Sequence, residues 1–577
     1  MKTPSLPILP PRALHWSIAA STAAAISYAD RGTSAIAASS LLDELHWSES
    51  QLGQVQSAFF VGYALTQVFG GLLGGRSSSS VTTTGGYNSV VDNGNDDNVT
   101  FTSRDAEYGR LMDTTNNNNR YNTESKTTIT STQKRHEGYR TILPLSLILT
   151  GITTLLFPMA ATAGPNWAIL DRFSLGLLEG LLLPAAMAGV SSTTTTTTSS
   201  ISSDTTTATT TGNNKEIKAT ASAIVIAGCY LGSAWAYLCA WLIFSETSQV
   251  HLTQWGLLQQ DSSSVWPFLF YINGILSIFI TVMFSSEFDL LGWRNNFLSN
   301  INNTTTKKND KSTAALSGST MVMMKDAFEI AKETLSSKSG RAIIAAQIGQ
   351  GALLYSIASW GPLYLERIAD VSTTGASAVV DTSSSPSFVS STAVAASIAA
   401  SSLILPQITQ ALIGVSIGMG ADKLSSNIGP RLTRRSLQFI SGVGPAMILL
   451  YLSFLGSVSD IGGDVATFQS PAFLFGAAQT ISAISLGAVS VSHLEVATPS
   501  KSGAVYALGN VFAAITGSIT VTIFGILLDK NGQQVTATAA SDFSSGWILV
   551  AMLSAFGSIF YSSSIESDLE IGKKHRQ

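Results

Sequence analysis

Gly70-Gly-Leu-Leu-Gly-Gly75-Arg76 and Ile417-Gly-Met-Gly-Ala-Asp422-Lys423 stand far apart in the chain, yet they end two apolar runs in the same way. Each puts glycines in the last turns and a basic residue just beyond them. In lipid the backbone must satisfy its own hydrogen bonds, so an apolar run of about 20 residues reads as a membrane helix. Related motifs at equivalent places in two halves of such a chain point to a duplicated bundle.

Outward from these two motifs, twelve runs are long enough to span: roughly 14–38, 52–75, 140–161, 165–190, 220–244 and 266–285, then 342–367, 393–420, 437–457, 471–492, 503–528 and 545–564. The first and eighth are the least apolar, being rich in Ala and Ser. The expected organisation is an N-terminal six-helix bundle (1–285), a central linker (286–340), a C-terminal six-helix bundle (341–564) and a tail (565–577). The expected fold class is all-α and polytopic, with twelve transmembrane helices in two six-helix halves.

Composition agrees. Charged residues make up 12% of the chain, half the share of about a quarter usual in soluble proteins. A net charge of −4 gives no footprint for nucleic acid. With alternating spans and a cytoplasmic N-terminus, one side collects 28 of the 32 Lys and Arg residues. Only Arg367 and Lys530 fall opposite, and Arg31 and Arg172 fall within spans. The positive-inside bias therefore places both termini in the cytoplasm. The sequence carries no address that separates plasma, vacuolar or lysosomal, and plastid membranes. The Pro-rich residues 1–12 lack a cleavage motif, so the first span is expected to be retained.

The polar stretches 77–139, 191–214 and 368–392 are Ser-, Thr- and Asn-rich, with too little apolar surface to fold alone, and read as mobile insertions. The glycosylation patterns at Asn98 and Asn303 fall on the cytoplasmic side and are expected to be unused. Cys229 and Cys239 share one apolar run and suit neither a disulfide nor a metal site, and the six histidines lack ligand spacing. No nucleophile, metal or cofactor constellation occurs, so a monomeric non-enzyme without cofactor or metal is expected.

Charges at membrane depth are costly and face protein or a water-filled cavity. Asp30 and Arg31 lie within Tyr28-Ala-Asp-Arg31, and Arg172 and Glu179 within Asp171-Arg-Phe-Ser-Leu-Gly-Leu-Leu-Glu-Gly180. Seven residues are close to two helical turns, so Arg172 and Glu179 share a face. Arg31 is the first choice for a substrate-binding cation, because its planar fork suits carboxylate or phosphate. The alternative is a buried pair with Asp30 or Glu179 that locks spans together. Glu179, or Asp30, is the candidate for proton coupling, against permanent salt-bridging; Arg172 reads as their structural partner. Tyr63, one turn before Gln67, either donates to an anion or packs. Gln350 and Asn510 either line a cavity or hydrogen-bond between helices. His493 and Glu495 read as end-cap residues.

In order along the chain stand Tyr28-Ala-Asp-Arg31, Trp47-Ser48, Gln54-Val-Gln-Ser-Ala-Phe-Phe-Val-Gly-Tyr63 with Gln67, Arg172 to Gly180 with Pro184, and Tyr230-Leu-Gly232. They are followed by Trp360-Gly-Pro-Leu-Tyr364, Ala421-Asp422-Lys423, Gly444-Pro445, His493-Leu-Glu-Val-Ala497, Pro499, Gly503 and Asn510. Together these resemble the anion:cation symporter family of the major facilitator superfamily, whose members carry phosphate, sialic acid, glutamate, ascorbate or hexonates. The resemblance implies the major facilitator fold and alternating access by rocking of the halves. It implies that Arg31 binds the substrate anion, that Glu179 and Asp30 couple protons with Arg172 beside them, and that Tyr63 and Asn510 line the cavity. Arg76 and Asp422 fall in the gating signatures, although Gly75 replaces the usual acidic residue before Arg76. Gln350 stands where glutamate carriers have an arginine and plastid phosphate carriers a histidine, which argues against glutamate.

The expected function is secondary active transport of a small organic or inorganic anion, phosphate- or carboxylate-bearing, coupled to protons or sodium. Its rivals are an uncoupled facilitative carrier and, from another class, a non-transporting membrane sensor or scaffold.

Overall fold

The computed structural model describes residues 11–75, 139–201, 210–245, 265–284, 327–377, 391–455, 470–497, 501–531 and 542–566, with isolated positions between. The described helices all fall in the compact unit that lies within 1–76 and 138–577. Arg76, Pro499, Asn98, Asn303 and most of the central 286–340 stretch lie outside the described residues.

The first half begins with α1 (Pro11–Ile36), a short α2 (Ala38–Leu45) and α3 (Glu49–Gly75). It continues with α4 (Tyr139–Ala163), α5 (Pro165–Ile201), α6 (Thr210–Phe244) and α7 (Trp266–Met283). The second half runs from α8 (Lys338–Ser377) through α9 (Ser391–Ile428) and α10 (Pro430–Leu455). Then come α11 (Pro471–Ser482), α12 (Val489–Val496), α13 (Ser502–Asn531) and α14 (Ser544–Ser564). Among the described residues, nine spans are long and apolar enough to cross a membrane: α4, α6 to α10, α11 with α12, α13 and α14. The Ala/Ser-rich α1, with α3 and α5, completes the twelve.

The helices differ from the sequence reading in three places, the first being α8, which runs on to Ser377 inside the 368–392 tract read as a mobile insertion. α5 runs on to Ile201 and α6 starts at Thr210, inside the Ser/Thr tract read as an unstructured insertion. Extending an existing helix avoids the costly nucleation step, so weak helix formers can follow. Span ten, read as one helix, is broken: a 3₁₀ turn over Ala483–Gly487 separates α11 from α12. The break frees the carbonyl of Gly487, which accepts from Arg434 Nη1 at 2.7 Å, while Arg434 Nη2 reaches Glu495 Oε1 at 2.8 Å. Glu495, read as an end cap, is thus an ion-pair partner.

Helix pairing repeats between the halves. α1 packs on α6 as α8 does on α13, α3 on α5 as α9 does on α11, and α4 on α7 as α10 does on α14. The halves meet through α3 against α13 and α6 against α9, which are again equivalent pairs. Twelve alternating spans put the start of α1 and the end of α14 on one face, here the terminal face; the opposite one is the far face.

α3 and α5 pack backbone against backbone. A Cβ on Gly62 would collide with the carbonyl of Phe173, and one on Gly176 with the carbonyl of Phe59. Reciprocal glycines let the two backbones touch, the usual source of helix association where apolar burial gives no preference over lipid. This contact fixes Phe59 and Tyr63 of α3 beside Glu179 of α5. Gly176→Val is expected to lose more than the about 1–3 kcal/mol of ordinary overpacking, because the obstacle is backbone. The check is a lowered thermal midpoint and loss of the monodisperse peak in detergent chromatography.

Candidate functional site

Between the halves lies a cavity of about 200 Å³. The first half contributes Arg31, Tyr28, Gln56, Phe59, Phe60 and Tyr63, among others; the second contributes Gln350, Tyr355, Tyr506 and Asn510, among others. Of the sequence-selected residues, Arg31, Tyr63, Gln350, Asn510 and Arg172 all line it. Arg31 and Arg172 are the charged residues among its described lining, and both belong to the first half.

Arg31 is held in place on several sides. Its guanidinium carbon lies 4.4 Å from the ring centroid of Tyr28, 4.6 Å from Phe59 and 4.7 Å from Tyr63, within cation–π range. Nε and Nη2 both donate to Glu179 Oε2 at 3.3 Å, longer than the roughly 2.7–2.9 Å of an optimal charge-assisted bond. Ser27 Oγ donates to the same oxygen, and Glu179 Oε1 is buried with no hydrogen-bond partner. The Arg31 side chain is 11% exposed and that of Glu179 0%. The cation thus meets the cavity and the carboxylate stands behind it.

Asp30 goes elsewhere. Successive helix residues point about 100° apart, so Asp30 faces α4, where Oδ2 accepts from Thr154 Oγ1 at 3.0 Å and Oδ1 has no partner. Arg172 is buried with its guanidinium carbon 3.8 Å from the Phe157 ring centroid, and its Nε and Nη2 lack hydrogen-bond partners. Of the two carboxylates read as possible partners, it is Glu179 that Arg31 holds.

In the second half Gln350 Nε2 donates to Ser485 Oγ at 2.8 Å, which ties the cavity wall to the 3₁₀ break. Gln67 is buried but does not line the cavity. His493 lies against the Tyr506 ring, with centroids 4.8 Å apart. Asp422 lies on α9, with its side chain outside the described residues, and Arg76 is outside them altogether.

Sequence reading missed most of the amide lining. Gln56, Gln347, Gln407, Gln410 and Gln479 all line the cavity and all are buried. A detectable signal was present: Gln347 with Gln350, and Gln407 with Gln410, are three apart within apolar spans and so share helix faces.

The far face is closed. Hydrogen bonds join the halves at this face and just beneath it. Arg367 Nη2 donates to Glu49 Oε1 at 2.7 Å, and Ser50 N to Asp529 Oδ2 at 3.0 Å. Ser518 Oγ donates to the Ser57 carbonyl at 3.2 Å, and Ser397 Oγ to the Trp241 carbonyl at 3.4 Å. Asp529 of the second half thereby caps the first turn of α3. Deeper in, Phe60 and Tyr355 stack across the halves at 4.2 Å.

No family model matches the sequence, and no curated protein matches it. Among solved structures the chain is similar to a bacterial homolog of the human lysosomal transporter Spinster in an inward-facing, unoccupied conformation (TM-score 0.53, 14% identity, 96% of this chain and 97% of that one). It is similar to the nucleoside transporter NupG (TM-score 0.50, 12% identity, 96% and 99%). The inward-open xylose transporter XylE from E. coli gives TM-score 0.50 at 11% identity over 94% and 95% of the two chains. With the helix order and pairing above, these likenesses establish the major facilitator fold, and the chain is an integral, multi-pass membrane protein.

The Glu49–Arg367 pair is about a quarter exposed on each side, so it contributes no more than about 1 kcal/mol. Glu49→Gln with Arg367→Gln is therefore expected to raise alkylation of the cavity residue Cys229 from the far face by no more than about fivefold. A membrane-impermeant maleimide applied to reconstituted protein carrying Cys239→Ser measures this.

Proposed function

We propose that the protein is a secondary active transporter of the anion:cation symporter type, moving a small organic or inorganic anion by alternating access. The observation that supports this best is the placement of Arg31: a cation on the cavity wall, backed by a fully buried carboxylate and boxed by aromatic rings. An anion in the cavity and Glu179 compete for one guanidinium. Protonation of Glu179 frees Arg31 for the anion, and release of the anion returns Arg31 to a deprotonated Glu179. This exchange couples one proton to one charge without leaving either buried ion alone, which would cost about 3–5 kcal/mol.

Asp30 and Arg172 form the second tier, Asp30 as an alternative proton site and Arg172 as its balancing charge. Tyr63 and Asn510 are proposed cavity contacts, Arg76 and Asp422 gating residues, and both termini cytoplasmic. The closed far face supplies one of the two arrangements that alternating access requires.

Uptake by purified protein in proteoliposomes, driven by an inward proton gradient, tests the reading. Arg31→Ala is expected to abolish uptake of any transported anion. Arg31→Lys, which keeps the charge and loses the fork, is expected to lower apparent affinity about 10- to 100-fold, the value of one charge-assisted hydrogen bond of roughly 1.5–3 kcal/mol. Glu179→Gln is expected to retain counterflow exchange and lose acceleration by the gradient. Uptake that ignores pH and requires sodium would remove the Glu179 protonation step and leave the carrier reading in place.

A further inference from the structure

Where α3 meets α13 at the far face, four ionisable side chains gather. Glu49 opens α3, Arg367 stands on α8, Asp529 lies in the last turn of α13 and Asp542 just precedes α14. Arg367 Nη2 donates to Glu49 Oε1 at 2.7 Å, and its guanidinium carbon lies 5.4 Å from the centroid of the buried Phe543 ring, which anchors it to the second half. Asp529 Oδ2 accepts from Ser50 N at 3.0 Å, and the carboxyls of Glu49 and Asp529 are within hydrogen-bond reach of each other. Asp542 stands within electrostatic reach of both Arg367 and Glu49. Backbone packing sets this approach, since a Cβ on Gly525 would meet the Glu49 carbonyl at 2.5 Å.

Two carboxyls hydrogen-bond to one another only when one of them carries a proton. Three carboxyls here face one guanidinium, so full ionisation sets like charges side by side. The other charges on the packed elements, among the described residues, do not restore the balance. Lys530 is exposed, and as the next helix residue points about 100° away from Asp529. Glu366, before Arg367 on α8, is buried and adds no positive charge. On α2 and just after it, Asp43 and His46 are exposed, and Glu44 Oε2 accepts from Trp266 Nε1 at 3.0 Å. On α5 the first charges, Asp171 and Arg172, lie more than one turn inside the bundle. Glu49 belongs to the first half, whereas Arg367, Asp529 and Asp542 belong to the second. Opening this face therefore separates Glu49 from all three.

We propose that Glu49 and Asp529 form a proton-operated latch between the halves: sharing a proton they hold the far face closed, and with both ionised they let it part. The side chains of Glu49 and Arg367 are 25% and 27% exposed, so the latch proton exchanges with solution at the far face and salt screens the repulsion. The latch is separate from the Glu179 exchange proposed above and operates whatever the substrate.

Distances between two nitroxides, measured by double electron–electron resonance in lipid nanodiscs, report the opening. The labels sit on Thr162→Cys of the first half and Ser545→Cys of the second, both exposed at the far face, in full-length protein carrying Cys229→Ser and Cys239→Ser. The ratio of long to short distances is expected to rise about tenfold from about pH 5 to about pH 8, the value of a hydrogen bond to a charged group. Asp529→Asn and Glu49→Gln, whose amides donate without titrating, are each expected to cut that rise to less than about twofold. Glu179→Gln is expected to keep it. A full rise in both Asp529→Asn and Glu49→Gln would overturn the latch, as would a distance distribution that ignores pH when Glu49 and Asp529 are both present. A rise lost in Glu179→Gln but kept in Asp529→Asn would also overturn it, assigning the pH response to Glu179 and leaving the coupling reading in place.

Discussion

A guanidinium inside a membrane protein cannot stand alone, and the way Arg31 is accommodated organises everything around it. The charge comes from α1, its counter-charge Glu179 from α5, and its aromatic box from α1 and α3. For these to meet, α3 and α5 must approach until their backbones touch, which Gly62 and Gly176 permit. The ion pair is long and one carboxylate oxygen is unpaired, so it neutralises the charge without saturating it. A buried pair of this kind is weak evidence for stability and better suited to exchange of partners.

The second half has the same helix pairing and, among the described cavity lining, no equivalent cation. Where the first half offers arginine, the second offers glutamines, serines, tyrosines and an asparagine. Duplication explains the shared scaffold; divergence of a few inward-facing positions gives the cavity two chemically different walls. The broken tenth span belongs to this divergence. Its 3₁₀ turn places Ser485 against Gln350, and Arg434 takes up the carbonyl that the break releases. A discontinuous helix at membrane depth is tolerated only where such partners exist.

The halves are joined by different means at different depths. At the far face they share an ion pair, a helix cap and serine–carbonyl bonds, each modest in energy. Nearer the centre the Phe60–Tyr355 stack bridges them. Polar contacts of modest energy suit an interface that must open, while glycines bring backbones together both within each half and where α3 meets α13, at Gly53 and Gly525.

Span number, their order in two halves and the depth of Arg31, Asp30, Glu179 and Arg172 were legible in the sequence, because hydrocarbon imposes length and forbids charge without regard to partners. The same rule picked out Gln350 and Asn510. What remained illegible was partnership. That Arg31 takes Glu179 rather than its neighbour Asp30, that Asp30 turns to Thr154, and that buried glutamines from both halves line one cavity depend on which helices touch. Helix contacts in lipid are set by close packing of small residues across long sequence separations, and a linear pattern does not record which face meets which. Hydropathy thus determined that the chain spans and where its buried charges lie; tertiary packing alone decided which of those charges are joined and what faces the cavity.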